Sequence, residues 1–88
     1  MKLSLQTVAQ ILNDNTPEHV SFSVEHVYED FGAGLMWDNI IVHDNEKGNN
    51  WTWQLLYSNQ MEIFEYGSKQ DQWELLDELI AKLNRRNS

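Results

Sequence analysis

The residues able to carry acid–base chemistry are few. The 88-residue chain has three histidines, fourteen aspartates and glutamates, and no cysteine. Without cysteine there is no thiolate nucleophile, disulfide framework, iron–sulfur cluster or thiolate–zinc site. His26 and Asp38 would form an oriented general base if the strands that carry them pair side by side. Since no serine lies in a nucleophile turn and no third member accompanies the pair, we expect a structural pair and a non-catalytic protein.

The candidate metal ligands are His19, His43 and Asp44, because the start of one predicted strand would lie beside the end of the next. Two imidazoles and a carboxylate are ligands that zinc accepts. The three residues lack the spacing of a helical site, and only strand pairing would bring them together. We therefore expect ordinary surface histidines and predict no metal and no other cofactor. The sequence leaves open whether the three side chains converge.

The whole chain has a formal net charge of -8, and this negative charge comes from its first half. Residues 3–46 contain eight aspartates and glutamates and no lysine or arginine, whereas residues 47–88 are nearly balanced. Binding to nucleic acid needs clustered lysine and arginine to neutralise phosphates, so direct nucleic-acid binding is not expected. The asymmetry favours either simple solubility or a basic protein partner.

Four tryptophans are many for so short a chain. Trp53 and Trp73 are predicted to lie in the core, where a small domain gains from large apolar side chains. Trp51 follows a polar turn, and Trp37 lies on a sheet face without a predicted cover, so these two are expected to contact a ligand or partner. Partial burial in the core is the alternative for both.

Hydrophobic periodicity predicts the elements that position these residues. A helix begins after Ser4 and ends before Pro17, and a second helix follows Ser68. Between them, alternating apolar residues predict strands at about 19–28, 35–44, 51–57 and 61–66. The expected fold is a single α+β domain over residues 1–88. Its four-stranded antiparallel meander sheet would be flanked by N-terminal and C-terminal helices, in the order α-β-β-β-β-α.

Pairing these strands assigns apolar residues to both faces of the sheet. The register that pairs Val24 with Ile40 also places His26 opposite Asp38. The core face then contains Phe22, Val24, Ile40, Val42, Trp53, Leu55 and Ile63. The other face collects Val27, Leu35, Trp37, Ile41, Leu56, Phe64 and Tyr66. This second face would be explained by one helix on each side of the sheet, by a β-bulge near residues 38–39, or by contact with a second chain, most commonly as a homodimer.

These features predict a small cytoplasmic protein of a bacterium or phage that acts through protein–protein contacts. One version of this hypothesis is an acidic inhibitor or nucleic-acid mimic that occupies the basic groove of a nuclease or regulator. The residues predicted to bind a partner are Trp37, Ile41, Phe64, Trp51, Glu25, Glu29 and Asp30. No segment resembles a signal peptide or an apolar membrane span, so no membrane contact is expected. The alternative is a small-molecule-binding module with an aromatic-lined pocket.

Overall fold

The computed structural model describes residues 3–29, 35–48 and 50–86. Its sheet has three antiparallel strands in the order β1-β2-β3. The ten-residue strands β1, Val20–Glu29, and β2, Leu35–Asp44, form a long hairpin, and the short strand β3, Trp51–Gln54, pairs with one end of β2. A 3-10 turn, Glu46–Gly48, lies between β2 and β3.

Three helices accompany the sheet: α1, Leu5–Asp14, precedes it, and α2, Ser58–Tyr66, and α3, Lys69–Arg86, follow it. The hydroxyl of Ser4 caps α1 by accepting the Thr7 N–H at 3.1 Å, as the sequence predicts. None of the described helices is both long and apolar enough to cross a membrane. The α+β class and the flanking of an antiparallel sheet by N-terminal and C-terminal helices are confirmed.

The predicted register of the long hairpin is also confirmed. Val24 lies opposite Ile40, and His26 lies opposite Asp38. The pairing runs without a break over all ten positions of both strands, so the β-bulge predicted as one explanation of the second face is absent from the described hairpin. Register follows from alternation, because a slip of one residue would turn every apolar side chain of the buried face toward solvent.

The predicted fourth strand at residues 61–66 is wrong, because this segment belongs to helix α2. Tyr57 donates its N–H to Gln60 Oε1 at 2.9 Å and accepts the Gln60 N–H at 3.0 Å, which starts a helical turn where a strand connection was predicted. Met61 and Phe64 are three residues apart, a spacing that shares one face of a helix. Burial of that face against the core, with Phe64 only 3% exposed, selects the helix.

The core uses one face of the sheet. Its strand residues are Val20, Phe22, Val24, Ile40, Val42 and Trp53, all of the same alternation. The helices add the buried residues Val8, Ala9, Leu12, Phe64, Leu75, Leu76, Leu79 and Leu83. The predicted core face is therefore confirmed for β1 to β3, while the opposite sheet face contributes no strand residue to this cluster.

Helix α3 buries a different stripe from the one that includes Trp73. Gln72, Leu75, Leu76 and Leu79 are buried, whereas Trp73 is exposed, so the prediction of a core Trp73 is wrong. Successive helical residues are about 100° apart around the axis, and the stripe that starts at Gln72 leaves Trp73 outside it. Gln72 is accommodated because its amide accepts the Leu3 N–H and donates to the Phe64 carbonyl.

Candidate functional site

The hairpin formed by β1 and β2 is covered by helices over only part of its length. On the core face, Phe22 and Val42 are buried, but farther along the same face Tyr28 is 58% exposed and its cross-strand neighbour Met36 is 55% exposed. The distal hairpin, defined as residues 24–29 and 35–39, is therefore covered at Val24 and Asn39 and exposed on this face at Tyr28 and Met36. An exposed tyrosine–methionine pair near its end is apolar surface of the kind that partners bury.

The outer edge of β1 is protected at one end and open at the other. The Asn13 amide donates to the Phe22 carbonyl at 3.1 Å and accepts the Phe22 N–H at 2.9 Å, and the Val20 N–H bonds the Pro17 carbonyl at 3.0 Å. By alternation, the outward backbone groups beyond this point belong to Val24, His26 and Tyr28. None of these has a backbone partner on the outer side among the residues that the structure describes. This edge is a template for an added strand.

His26 and Asp38 form a close pair on the distal hairpin, with His26 Nδ1 2.7 Å from Asp38 Oδ1. Both side chains are more than half exposed, 58% and 59%, so water screens the pair and it contributes little to stability. No serine or other nucleophile is bonded to this pair in the described part of the chain. The sequence prediction that these two residues face each other is confirmed.

A second histidine cluster lies on the open face, which is defined as the sheet face of Ser23, Glu25, Ile41 and His43. Ser23 Oγ donates to Glu25 Oε2 at 2.8 Å and lies 3.0 Å from His43 Nε2, which is itself 3.3 Å from Glu25 Oε2. The Ser23 hydroxyl and the Glu25 carboxylate therefore both approach the same ring nitrogen, Nε2 of His43. In a hydrolytic triad the carboxylate holds the other nitrogen, so this geometry orients side chains without activating the serine. This cluster is not among the site residues predicted from the sequence, although the register that pairs Ser23 with Ile41 places its three side chains on one face.

The open face carries fewer apolar residues than the sequence predicts. Val27, Trp37 and Ile41 are half-buried and lie on it by alternation. Leu56 and Phe64 lie instead in the core, and Tyr66 is exposed at the end of α2. The apolar core cluster takes its strand residues from one face, although Asn39 and the indole nitrogen of Trp37, which belong to the other alternation, are also buried.

The residues predicted to bind a partner are thus divided among several places. Glu25, Trp37 and Ile41 share the open face, while Trp51, 64% exposed, lies across from Asp44 on the other face. Phe64 is in the core. Glu29 ends β1, and Asp30 lies outside the described residues.

A groove of about 520 Å³ lies between the distal part of β2 and the helices α1 and α2. Its apolar lining includes Leu3, Trp37, Met61 and Phe64. The indole N–H of Trp37 is buried and has no hydrogen-bond partner among the described residues. A buried donor without an acceptor is uncommon in folded proteins, so this N–H distinguishes Trp37 from the other residues that line the groove.

The remaining histidine, His19, lies at the opposite end of the hairpin from the distal end. Its Nε2 is 4.0 Å from Asp44 Oδ1, and Glu46 completes a group whose ligand atoms lie within 4.8 Å of one another. His43 is directed to the open face instead, so the structure brings together two of the three candidate metal ligands and replaces the third by Glu46.

Comparison of the chain with protein-family models, with characterised proteins and with solved structures gave no match.

Proposed function

We propose that this protein is a non-catalytic binding protein that takes up an extended, basic segment of a partner protein along the outer edge of β1. The observation that carries the proposal is the open edge from Val24 to Tyr28, which adjoins a surface whose described residues include Glu25 and Asp38 and no lysine or arginine. An added strand would bond the outward groups of Val24, His26 and Tyr28, as in β-strand addition to other exposed sheet edges.

Side chains of the distal hairpin fit an alternating basic and apolar strand. Glu25 is exposed on β1 itself, so a lysine or arginine on the open-face side of the added strand meets its carboxylate. On the other side the added strand meets Val24, His26 and Tyr28, and Asp38 lies one strand farther away, bonded to His26. Tyr28, Met36 and Val27 supply apolar contacts near the end of the hairpin. A second copy of the chain would also carry a formal net charge of -8, so the two copies would repel each other, which favours a basic partner over a homodimer.

The proposal is tested with a defined probe. A ten-residue peptide that alternates lysine and valine, and a matched peptide that alternates glutamate and valine, are titrated into the ¹⁵N-labelled protein. Binding of the lysine peptide should shift the amide signals of Val24, His26 and Tyr28 and slow their hydrogen exchange. The affinity should fall steeply as ionic strength rises from low to physiological values, because the charges lie at the surface.

Two variants separate the contribution of the β1 backbone edge to peptide binding from the contribution of surface charge. Val24→Pro removes an outward N–H and leaves the β1–β2 ladder intact, because the ladder bonds are made by the neighbouring residues. This variant should abolish the slowing of hydrogen exchange that the lysine peptide causes along the outer edge of β1. Glu25→Lys should weaken binding of the lysine peptide by roughly threefold to tenfold, the size of an exposed ion pair turned repulsive. Glu78→Lys makes the same charge change on exposed α3 and serves as the control.

Equal binding of the two peptides, or equal loss in Glu25→Lys and Glu78→Lys, would contradict the proposal. Sedimentation at micromolar concentration distinguishes the dimer: a mass near twice 10.4 kDa that Val24→Pro reduces to the monomer would assign the edge to a second copy. Once the peptide results hold, affinity capture from the native host identifies the natural partner.

A second candidate function is favoured by the groove beside Trp37. An apolar molecule with a carbonyl oxygen could fill the groove and accept the unpartnered indole N–H. Addition of a neutral aromatic amide such as acetanilide should shift the indole signal of Trp37. Trp37→Phe keeps an aromatic side chain and removes the N–H donor, and it should weaken the binding of acetanilide. The same variant should leave peptide binding at the β1 edge unchanged, so the two functions are separable.

A further inference from the structure

Three chemically complementary side chains converge at the end of the hairpin opposite to the proposed edge. His19 lies in the turn before β1, Asp44 ends β2, and Glu46 begins the 3-10 turn. Their ligand atoms, one imidazole nitrogen and two carboxylate oxygens, lie within 4.8 Å of one another. Three separate structural elements thus bring these ligand atoms to one small volume.

The backbone holds these residues in place. The Asn45 N–H bonds the His19 carbonyl at 2.9 Å, which extends the pairing of the two strands by one step. Asp44 Oδ1 accepts the Glu46 N–H at 3.0 Å and thereby orders the start of the 3-10 turn. The positions of the three ligands therefore depend on strand pairing and turn geometry, which are present before any ion binds.

Two of the three side chains in the cluster are carboxylates. The side chain of Asp44 is only 10% exposed, and its Oδ1 lies 4.0 Å from His19 Nε2. A carboxylate oxygen of Glu46 lies within 4.8 Å of both ligand atoms. A buried carboxylate beside a second carboxylate is costly unless a positive charge compensates it.

We propose that His19, Asp44 and Glu46 bind a divalent transition-metal ion, with Zn²⁺ as the reference ion, and that water completes its coordination. Imidazole nitrogen with carboxylate oxygen suits zinc and its neighbours, whereas Ca²⁺ and Mg²⁺ take oxygen ligands. Two donor atoms on one zinc lie about 3.3 Å apart, so binding requires a contraction of less than about 2 Å, which the exposed side chain of Glu46 can supply. The ion clamps the start of β1 to the end of β2 and to the turn that leads into β3.

The experiment uses the untagged protein and ZnCl₂, followed by isothermal titration and by the imidazole signals of the three histidines. One ion per chain should bind, and the His19 signals should shift while those of His26 and His43 do not. His19→Ala and Glu46→Gln should each weaken zinc binding at least tenfold. A tenfold excess of Mg²⁺ or Ca²⁺ should not displace the zinc.

Matched controls are present in the same chain. His43 with Glu25, at 3.3 Å, and His26 with Asp38, at 2.7 Å, are histidine–carboxylate pairs that lack a third ligand. His43→Ala and His26→Ala should leave the zinc affinity within about twofold of the original protein. Circular dichroism of each variant checks that the fold is retained, and Glu46→Gln, an exposed change, keeps the test available if His19→Ala is unfolded.

The proposal is overturned if millimolar ZnCl₂ leaves the His19 signals unmoved, or if His43→Ala or His26→Ala reduces the affinity as much as Glu46→Gln does. Displacement of zinc by equimolar Ca²⁺ would overturn the transition-metal assignment. Since the cluster and the β1 edge are at opposite ends of the hairpin, failure here leaves the lysine-peptide result unaffected.

Discussion

Asn39 joins β2 to the segment that leads into α2, and its replacement by alanine should be among the most destabilising single changes in this protein. The side chain is fully buried. Its Oδ1 accepts the N–H groups of Ile40 at 2.7 Å and Leu56 at 3.3 Å, and its Nδ2 donates to Gln54 Oε1 at 3.0 Å and to the Leu56 carbonyl at 3.1 Å. Beyond the end of β3, the side-chain amide of Asn39 thus makes the hydrogen bonds that a neighbouring strand would otherwise make.

The magnitude follows from the groups left behind. In Asn39→Ala the Ile40 N–H, the Leu56 N–H and the Leu56 carbonyl lose this partner in a buried setting. Each unsatisfied buried group costs about 1–3 kcal/mol, and the low end applies where water enters the vacated space. The sum is about 3 kcal/mol. A domain of this size has a free energy of unfolding of roughly 4–13 kcal/mol, so the loss is a large fraction of the total.

The assay is equilibrium urea unfolding, followed by tryptophan fluorescence and circular dichroism on the same samples. The urea midpoint should fall while the m-value stays constant, because the surface exposed on unfolding is unchanged. Asn59→Ala is the control, because Asn59 is exposed on α2, and its effect should be within about 0.5 kcal/mol. Equal unfolding free energies for Asn39→Ala and Asn59→Ala would refute the reasoning that the buried amide replaces the ladder.

Two further changes test how the helices are held. Gln72→Ala removes an amide that accepts the Leu3 N–H at 3.0 Å and donates to the Phe64 carbonyl at 3.1 Å. It should lower the free energy of unfolding, measured in urea, by about 2–4 kcal/mol. Gln70 is exposed, so the control Gln70→Ala should lower it little. Gly67→Ala places a Cβ 2.5 Å from the Ile63 carbonyl oxygen and should lower the unfolding free energy by about 1–3 kcal/mol in thermal melts. An unchanged melting temperature for Gly67→Ala would show that the α2–α3 junction shifts without strain.

The sequence alone predicts the long hairpin correctly because its information is local and periodic. Val20, Phe22 and Val24 alternate with polar residues, so a single strand register buries all three. The same register places His26 opposite Asp38. The same alternation also shows that His43 and Asp44, as neighbours in a strand, face opposite sides. Alternation therefore shows that His43 and Asp44 cannot both reach His19, and the turn that holds His19 decides in favour of Asp44.

The identity of α2 could not be obtained from its own sequence. Residues 57–66 contain apolar side chains at positions compatible with either a strand or a helix, and short segments are selected by what they bury. Phe64 decides the question by packing in the core, and Gln72 decides it again by bonding the carbonyls at the end of α2. Neither contact is visible before the helices are assembled.

Composition and alternation therefore determine the class of fold, the acidic first half and the hairpin that positions most of the candidate residues. Tertiary structure alone decides which part of that hairpin the helices leave uncovered and which charged groups meet. Glu46 lies beyond the end of β2, where no periodicity applies, and only the turn after Asp44 carries it to His19. The open edge from Val24 to Tyr28 likewise exists because Asn13 of α1 reaches Phe22 and no farther.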